Sequence, residues 1–347
     1  MGYNINESLS SMTVDMNIVK KLCKINEYKG EQCLYKKQPK ALINETLDNA
    51  ITEFVFDTYI QDFYDNRQRL LELINNSVAP KSREDIGVVE FRDVIKTVNS
   101  AYEDIKISSE TILELHGYLH RYSLVRGGKY RTNQINMYDL NQIHEVNSHE
   151  AGYISELKIK KEIEELCENY YRLIDSDEVE PLLIIAIFIK DFIRISPFEE
   201  NNIKMAKILT LLLLNKNNYE VGRYKSLGRI YNEENLSKFS MLFREKRDVE
   251  LENYNSIRWL DYFLSIVLDA YSGISEKLNV SSNKKETKTS RIEKVINSTL
   301  GYFTKDDIKA QCPDIPEPTI NRVFNNLRKD GKIEVVAKGR SAKWKKK

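Results

Sequence analysis

The chain has little of what metal or disulfide chemistry needs. Its 347 residues include four cysteines and four histidines. Cys23, Cys33, Cys167 and Cys312 show no Cys-x-x-Cys spacing, which argues against a zinc cluster and a disulfide framework. No Gly-x-Gly-x-x-Gly, Walker loop, Gly-x-Ser-x-Gly or His-Glu-x-x-His occurs, which sets aside dinucleotide enzymes, P-loop NTPases, α/β-hydrolases and zinc peptidases. The longest strongly apolar run, Leu182 to Ile189, is too short to span a bilayer. The amino terminus, MGYNINESLSSMTVDMNIVKKL, has no basic segment followed by an apolar run, so the expectation is a cytoplasmic protein without a membrane partner.

What is present is a helical body with a basic end. At 41% hydrophobic and 30% charged residues, the chain can form two or three packed domains. Apolar residues recur at helical spacing through much of residues 13–275, as in Ile112, Leu115, Leu119 and Tyr122, or Ile163, Leu166, Tyr170 and Leu173. Two turn-rich places interrupt this pattern: Arg126 to Arg131 with its polar sequel to about Ser155, and Ser196 to Asn202. A polar stretch at 276–290, rich in Lys, Ser and Thr, reads as a linker. The expected division is an N-terminal helical region (1–95), a core (96–275), the linker (276–290) and a small domain (291–347).

Residues 284–347 hold 17 Lys and Arg against 8 Asp and Glu, a local +9 in a chain of net charge +1. This asymmetry points to an anionic partner, nucleic acid ahead of membrane; the bland alternative is a solubilising basic tail. Arg291 to Leu300 suits a helix, Thr304 an N-cap, and Glu317-Pro318-Thr319 the start of a helix running to Arg328. A turn at Lys329 to Lys332 and two short apolar-basic stretches follow, which together suggest a small α+β winged helix-turn-helix domain. Thr319 to Arg328 would be its recognition helix, offering Asn321, Arg322, Asn325 and Arg328 to DNA, with Arg340 in the wing. Protein docking is the competing role for such a module.

Pro181 to Ile195 and Ile203 to Leu214 read as two apolar helices joined by Ser196-Pro197-Phe198-Glu199-Glu200-Asn201-Asn202. The second helix therefore presents its N-terminal N–H groups at a loop, an arrangement that favours anions. Lys204 and Lys207 lie three residues apart in its first turns, where the helix dipole disfavours positive charge. A bound phosphate would relieve that conflict, and Glu200 could hold magnesium beside it. The alternative is two lysines extending into solvent beside a capping Asn.

The same loop resembles the signature of the Fic (Fido) family: His-Pro-Phe, any residue, Asp or Glu, Gly-Asn-Gly-Arg, two residues, Arg. Here it stands as Ser196-Pro197-Phe198-Glu199-Glu200-Asn201-Asn202-Ile203-Lys204-Met205-Ala206-Lys207. Leu115-His116-Gly117-Tyr118 resembles the family's Leu-His helix, Gly127 to Arg131 its substrate-aligning flap, and Tyr219 to Leu227 the stretch after the core helix. The resemblance implies a mainly α fold, a Fic-type helical bundle with a short β-hairpin flap at Gly128, Lys129 and Tyr130. It also implies protein adenylyltransferase chemistry, in which ATP and Mg are used to move AMP onto a protein hydroxyl. In such proteins the motif histidine is the general base, the acidic residue holds magnesium, and the Gly-Asn-Gly turn and arginines cradle phosphates. Carried over, Ser196 takes the catalytic position, Glu200 the metal position, and Asn201, Asn202, Lys204 and Lys207 the nucleotide-binding positions.

The departures are as informative. A serine hydroxyl cannot replace the histidine as base near neutral pH, which removes a contribution of roughly 10²–10⁴-fold. Asn201 and Ile203 stand where the family has glycine, and the β-branched Ile203 would be costly if it needed positive φ. Lysines replace both arginines and lose the bidentate fork. The family's inhibitory helix aligns with Thr58 to Phe63, placing Thr58 and Asp62 near Lys207. The expected function is a catalytically impaired Fic-like protein that binds an unknown protein partner and DNA. The alternatives are an active nucleotidyltransferase with altered chemistry, or a repressor whose Fic body only forms a homodimer. His116 and His120, four residues apart, are expected to pack or cap rather than bind metal, and His144 and His149 to lie on the surface.

Overall fold

A computed structural model describes residues 13–123, 127–132, 155–231, 249–277, 288–298, 302–313, 315–337 and 342–346. The chain divides into two compact units, residues 1–278 and 279–347.

The first unit is helical: α1 (Met16–Tyr35), α2 (Lys40–Tyr59), α3 (Arg67–Ile74), α4 (Arg83–Ala101), α5 (Ser109–Tyr118), α6 (Glu156–Ser176), α7 (Pro181–Ile195), α8 (Asn202–Lys216), α9 (Val221–Tyr224), a 3₁₀ turn (Gly228–Tyr231) and α10 (Val249–Lys277). Side-chain oxygens of Asp15, Asn66, Ser82 and Ser108 cap α1, α3, α4 and α5, satisfying N–H groups that a helix start leaves orphaned. Pro181 opens α7 where its missing N–H costs nothing.

α7 lies at the centre. It packs against α6, α8 and α10, while α8 also contacts α4, and every residue of α7 from Leu182 to Ile195 is buried. Such all-round burial explains why its sequence is apolar on all faces rather than amphipathic. Trp259 of α10, fully buried, donates its indole N–H to the Ala186 carbonyl of α7 at 2.8 Å. The charged residues of α7 form a buried set: Arg194 reaches Asp191 at 2.8 Å, and Lys190 donates to Ser256 at 3.0 Å. No helix among the described residues is long and apolar enough to cross a membrane.

The second unit contains α11 (Lys288–Ser298), α12 (Lys305–Gln311), α13 (Glu317–Lys329) and an antiparallel pair, β1 (Ile333–Ala337) and β2 (Lys343–Lys346). Thr304 and Asp307 exchange hydrogen bonds in a capping box at the start of α12. Ile333 pairs with Lys346 and Val335 with Trp344, with an irregularity between Val335 and Ala337. Trp344 also bridges Phe303 by two backbone bonds, of 3.0 and 2.8 Å. Ile292, Ile308, Ile320, Phe324, Leu327 and Trp344 are among the residues that form its core. α10 runs to Lys277 and α11 begins at Lys288.

Candidate functional site

α7 ends at Ser196, which adopts left-handed φ 43°, ψ 67°. Its backbone N–H bonds Phe192 O at 3.0 Å, and its hydroxyl donates to Ile193 O at 2.5 Å. Ser196 thus acts as a helix C-cap: it is 3% exposed, and its one proton is committed to the backbone.

The loop closes on Asn202, the buried first residue of α8. Its side-chain oxygen accepts from Phe198 N–H at 3.0 Å, and its amide donates to Phe198 O at 2.7 Å. Phe198, fully buried, lies flat on the His116 ring with centroids 3.7 Å apart. The Asn202→Ala variant should lose about 2 kcal/mol of stability in urea denaturation, since both Phe198 backbone groups are left unpaired in a buried site. Asn202→Asp, which can accept but not donate, should keep part of it.

Asn201 carries the loop's second left-handed conformation, φ 64°, which asparagine tolerates better than most residues. Ile203 lies inside helical α8 and has no positive φ. The strain expected at Ile203 therefore falls two residues earlier, on Asn201, a residue suited to it.

Three side chains gather around Glu200. Arg83, at the start of α4, bonds both carboxylate oxygens at 3.3 and 3.1 Å. His120 Nδ1 is 3.6 Å from Glu200 Oε1, and its Nε2 is 3.1 Å from the Asn201 amide. His116 Nδ1 accepts Gly128 N–H at 3.0 Å, so its Nε2 carries the proton toward the Glu200 carbonyl at 3.3 Å. Burial and the neighbouring His120 push the His116 pKa down to about 4, and burial also lowers that of His120.

Both motif lysines turn to the end of α2. Lys207, 4% exposed, donates to the Thr58 hydroxyl at 3.1 Å, and Lys204 lies over the Tyr59 ring at 4.5 Å. Burial, with a smaller contribution from Lys204, lowers the Lys207 pKa to about 7. Both lysines thus contact α2 rather than extending freely into solvent. Thr58 reaches Lys207, whereas Asp62 is exposed and acts on it only through charge.

The flap segment docks on the loop through Arg131. Its backbone N–H bonds Pro197 O at 2.9 Å, while its guanidinium reaches Ser196 O at 2.6 Å and Ile195 O at 3.1 Å. Two glycines permit this approach: a Cβ on Gly127 would stand 2.7 Å from His116 O, and Gly128 has φ +74°. Tyr130 is buried near Phe198 and Lys129 is exposed. Residues 127–132 form no strand, and the rest of the expected hairpin, with His144 and His149, falls outside the described residues.

The structure therefore brings together Ser196, Glu200, Asn201, Asn202, Lys204, Lys207, Gly128, Tyr130 and Thr58. Residues 106–214 match the model of the Fic/DOC family. That segment is a Fic/DOC-type domain. The chain's fold resembles that of a Fic family protein from Desulfovibrio desulfuricans G20, at 15% identity and TM-score 0.54, covering 96% of this chain and 97% of that one. A Fic domain containing signaling protein from Bacteroides thetaiotaomicron VPI-5482 aligns at 14% identity and TM-score 0.54, covering 72% of this chain and 94% of the other. No curated protein matches the sequence closely enough to count as a relative.

The Fic domain offers magnesium a poor fit. Among the described residues no group of three or more His, Cys, Asp or Glu side chains could hold a metal. Glu200, the carboxylate in the metal position, already faces Arg83 and His120. Sequence reasoning missed Arg83, which lies 117 residues from Glu200 in a helix with no motif of its own. In the second unit, Arg322, Asn325 and Arg328 are exposed on α13, while the Asn321 oxygen is taken by Lys305 at 2.6 Å. Arg340 falls outside the described residues.

Proposed function

We propose that this protein is a Fic-type protein impaired in nucleotide transfer, acting as a regulatory or binding protein through its helical body and a DNA-binding winged helix at 291–347. The observation that carries the reading is Ser196: where a Fic enzyme would hold its base, a buried hydroxyl donates to Ile193 O at 2.5 Å. A hydroxyl so committed has no proton-accepting role near neutral pH. The motif lysines support the same reading, because Lys204 and Lys207 are engaged by Tyr59 and Thr58, so binding ATP with magnesium would require breaking those contacts and the Arg83–Glu200 pair.

The DNA-binding role is supported by charge and by the face of α13. Ile320, Val323, Phe324 and Leu327 are buried, leaving Arg322, Asn325 and Arg328 outward, residue types that read base edges and phosphates.

The test has two arms. Full-length protein incubated with labelled ATP, magnesium and a cell lysate should transfer no label beyond the level of a Glu200→Ala variant; robust, Glu200-dependent labelling would sink the impaired reading. Duplex DNA should bind with an affinity that falls steeply with salt, and Arg322→Ala with Arg328→Ala should flatten the salt slope by about 2. Salt-independent or absent DNA binding would leave protein docking as the module's role.

A further inference from the structure

Away from the motif loop, α2, α3, α10 and the stretch from Lys225 to Ile230 line an open hollow of 520 Å³. Its floor is apolar, formed by Phe56, Leu71, Leu227, Ile230 and Ile266. Phe56, Leu71 and Ile266 are only half-buried although each belongs to the helical body, so the cavity leaves apolar surface open to solvent. The size lies within the range of small-molecule sites, about 300–1,000 Å³.

The mouth carries two ion pairs, each joining a cation of the 225–229 stretch to a carboxylate of α2. Lys225 meets Glu53 at 3.2 Å, and Arg229 Nε meets Asp57 at 2.9 Å. These pairs differ in how freely they can be exchanged. Asp57 has both oxygens engaged, by Arg229 and by the Ser226 hydroxyl at 3.0 Å, and its side chain is 13% exposed. Arg229 is 80% exposed, and Lys225 and Glu53 are about half exposed. One carboxylate and two cations are therefore adjustable at the rim of an apolar hollow.

We propose that this cavity binds a small zwitterion with an apolar body, an apolar α-amino acid or dipeptide. The ligand's carboxylate meets Arg229 and Lys225, its ammonium meets Glu53, and its side chain fills the floor. The ligand must carry both charges because of the Lys225–Glu53 pair. An anion alone would draw Lys225 away and leave Glu53 uncompensated beside it, and a cation alone would strand Lys225. A zwitterion replaces the pair with two new ones, and its apolar body gains the burial that the open floor lacks. This site is independent of whether the motif loop handles nucleotides.

The test is calorimetric titration of the full-length protein with phenylalanine and with the dipeptide leucyl-phenylalanine, beside phenylpropionate and phenethylamine, each of which lacks one charge. At least one zwitterion should bind, and both truncated ligands should bind about tenfold more weakly or worse, each having lost one charge-assisted contact. Arg229→Ala and Glu53→Gln should each weaken the zwitterion about tenfold, Glu53→Gln with unchanged melting of the free protein because its pair with Lys225 is half exposed, and Leu71→Trp should block it by filling the floor. Absence of heat from both zwitterions at millimolar concentration would overturn the proposal. So would phenylpropionate binding as tightly as phenylalanine, or indifference of the zwitterion to Glu53→Gln.

Discussion

Replacing Lys207 with methionine should make the protein more stable. The ammonium is buried against α2 with a single hydroxyl for company, and burial lowers its pKa to about 7. A lysine whose folded pKa lies below its unfolded value near 10 binds fewer protons folded than unfolded between those two values. Stability therefore rises as pH climbs from about 7 toward 10, by roughly 4 kcal/mol at the upper end, and is flat with respect to this group below about 7. Methionine has similar volume and no charge to desolvate. Thr58 keeps its bond to Phe54 O at 2.8 Å, so the substitution orphans no polar group. The Lys207→Met protein should gain about 2 kcal/mol near pH 7 and lose most of the alkaline rise. Urea denaturation of both proteins from about pH 6 to pH 10 measures this; an unchanged slope would mean that Lys207 stays solvated.

The opposite end of the pH range is governed by His116. Its ring accepts from Gly128, donates to Glu200 O and stacks on Phe198, so flap, motif loop and α5 meet on one side chain. Burial, with the neighbouring His120, lowers its pKa to about 4, and a proton on Nδ1 would abolish the Gly128 bond. Because the unfolded histidine titrates near 6.5, stability contributed by the neutral ring is full above that value and is lost as pH falls toward 4, by roughly 3 kcal/mol. The His116→Ala variant should cost about 4 kcal/mol, combining a lost aromatic contact, a cavity and two unpaired backbone groups. It should also lose the acid-side slope between about pH 6.5 and pH 4. His116→Phe should recover the packing but not the Gly128 bond, and so fall between the two. An alanine variant within about 1 kcal/mol of wild type would show that the three elements hold together without the ring.

Much of this is legible in the sequence, for identifiable reasons. α7 announced itself through Pro181 and an unbroken apolar run, and the core of the second unit through the spacing of Ile320, Val323, Phe324 and Leu327. The motif loop was legible because its residues are contiguous, so register alone placed Glu200, Asn202, Lys204 and Lys207. What escaped was whatever depends on partners distant in sequence. Arg83 on Glu200, Thr58 on Lys207 and His120 beside Asn201 are meetings of segments far apart in sequence. Nothing in the local pattern of Arg83 distinguishes it from a solvated first-turn residue. The strain assigned to Ile203 was misplaced because sequence shows which residue replaces glycine but not where the left-handed turn ends and α8 begins.

The Arg131 clamp also bears on time. One residue holds the carbonyls of Ile195, Ser196 and Pro197 together, two through its guanidinium and one through its backbone N–H. Its amide proton can therefore exchange with solvent only when the segment lifts off the end of α7. Hydrogen exchange at that single amide would count how often the flap and the motif loop part company.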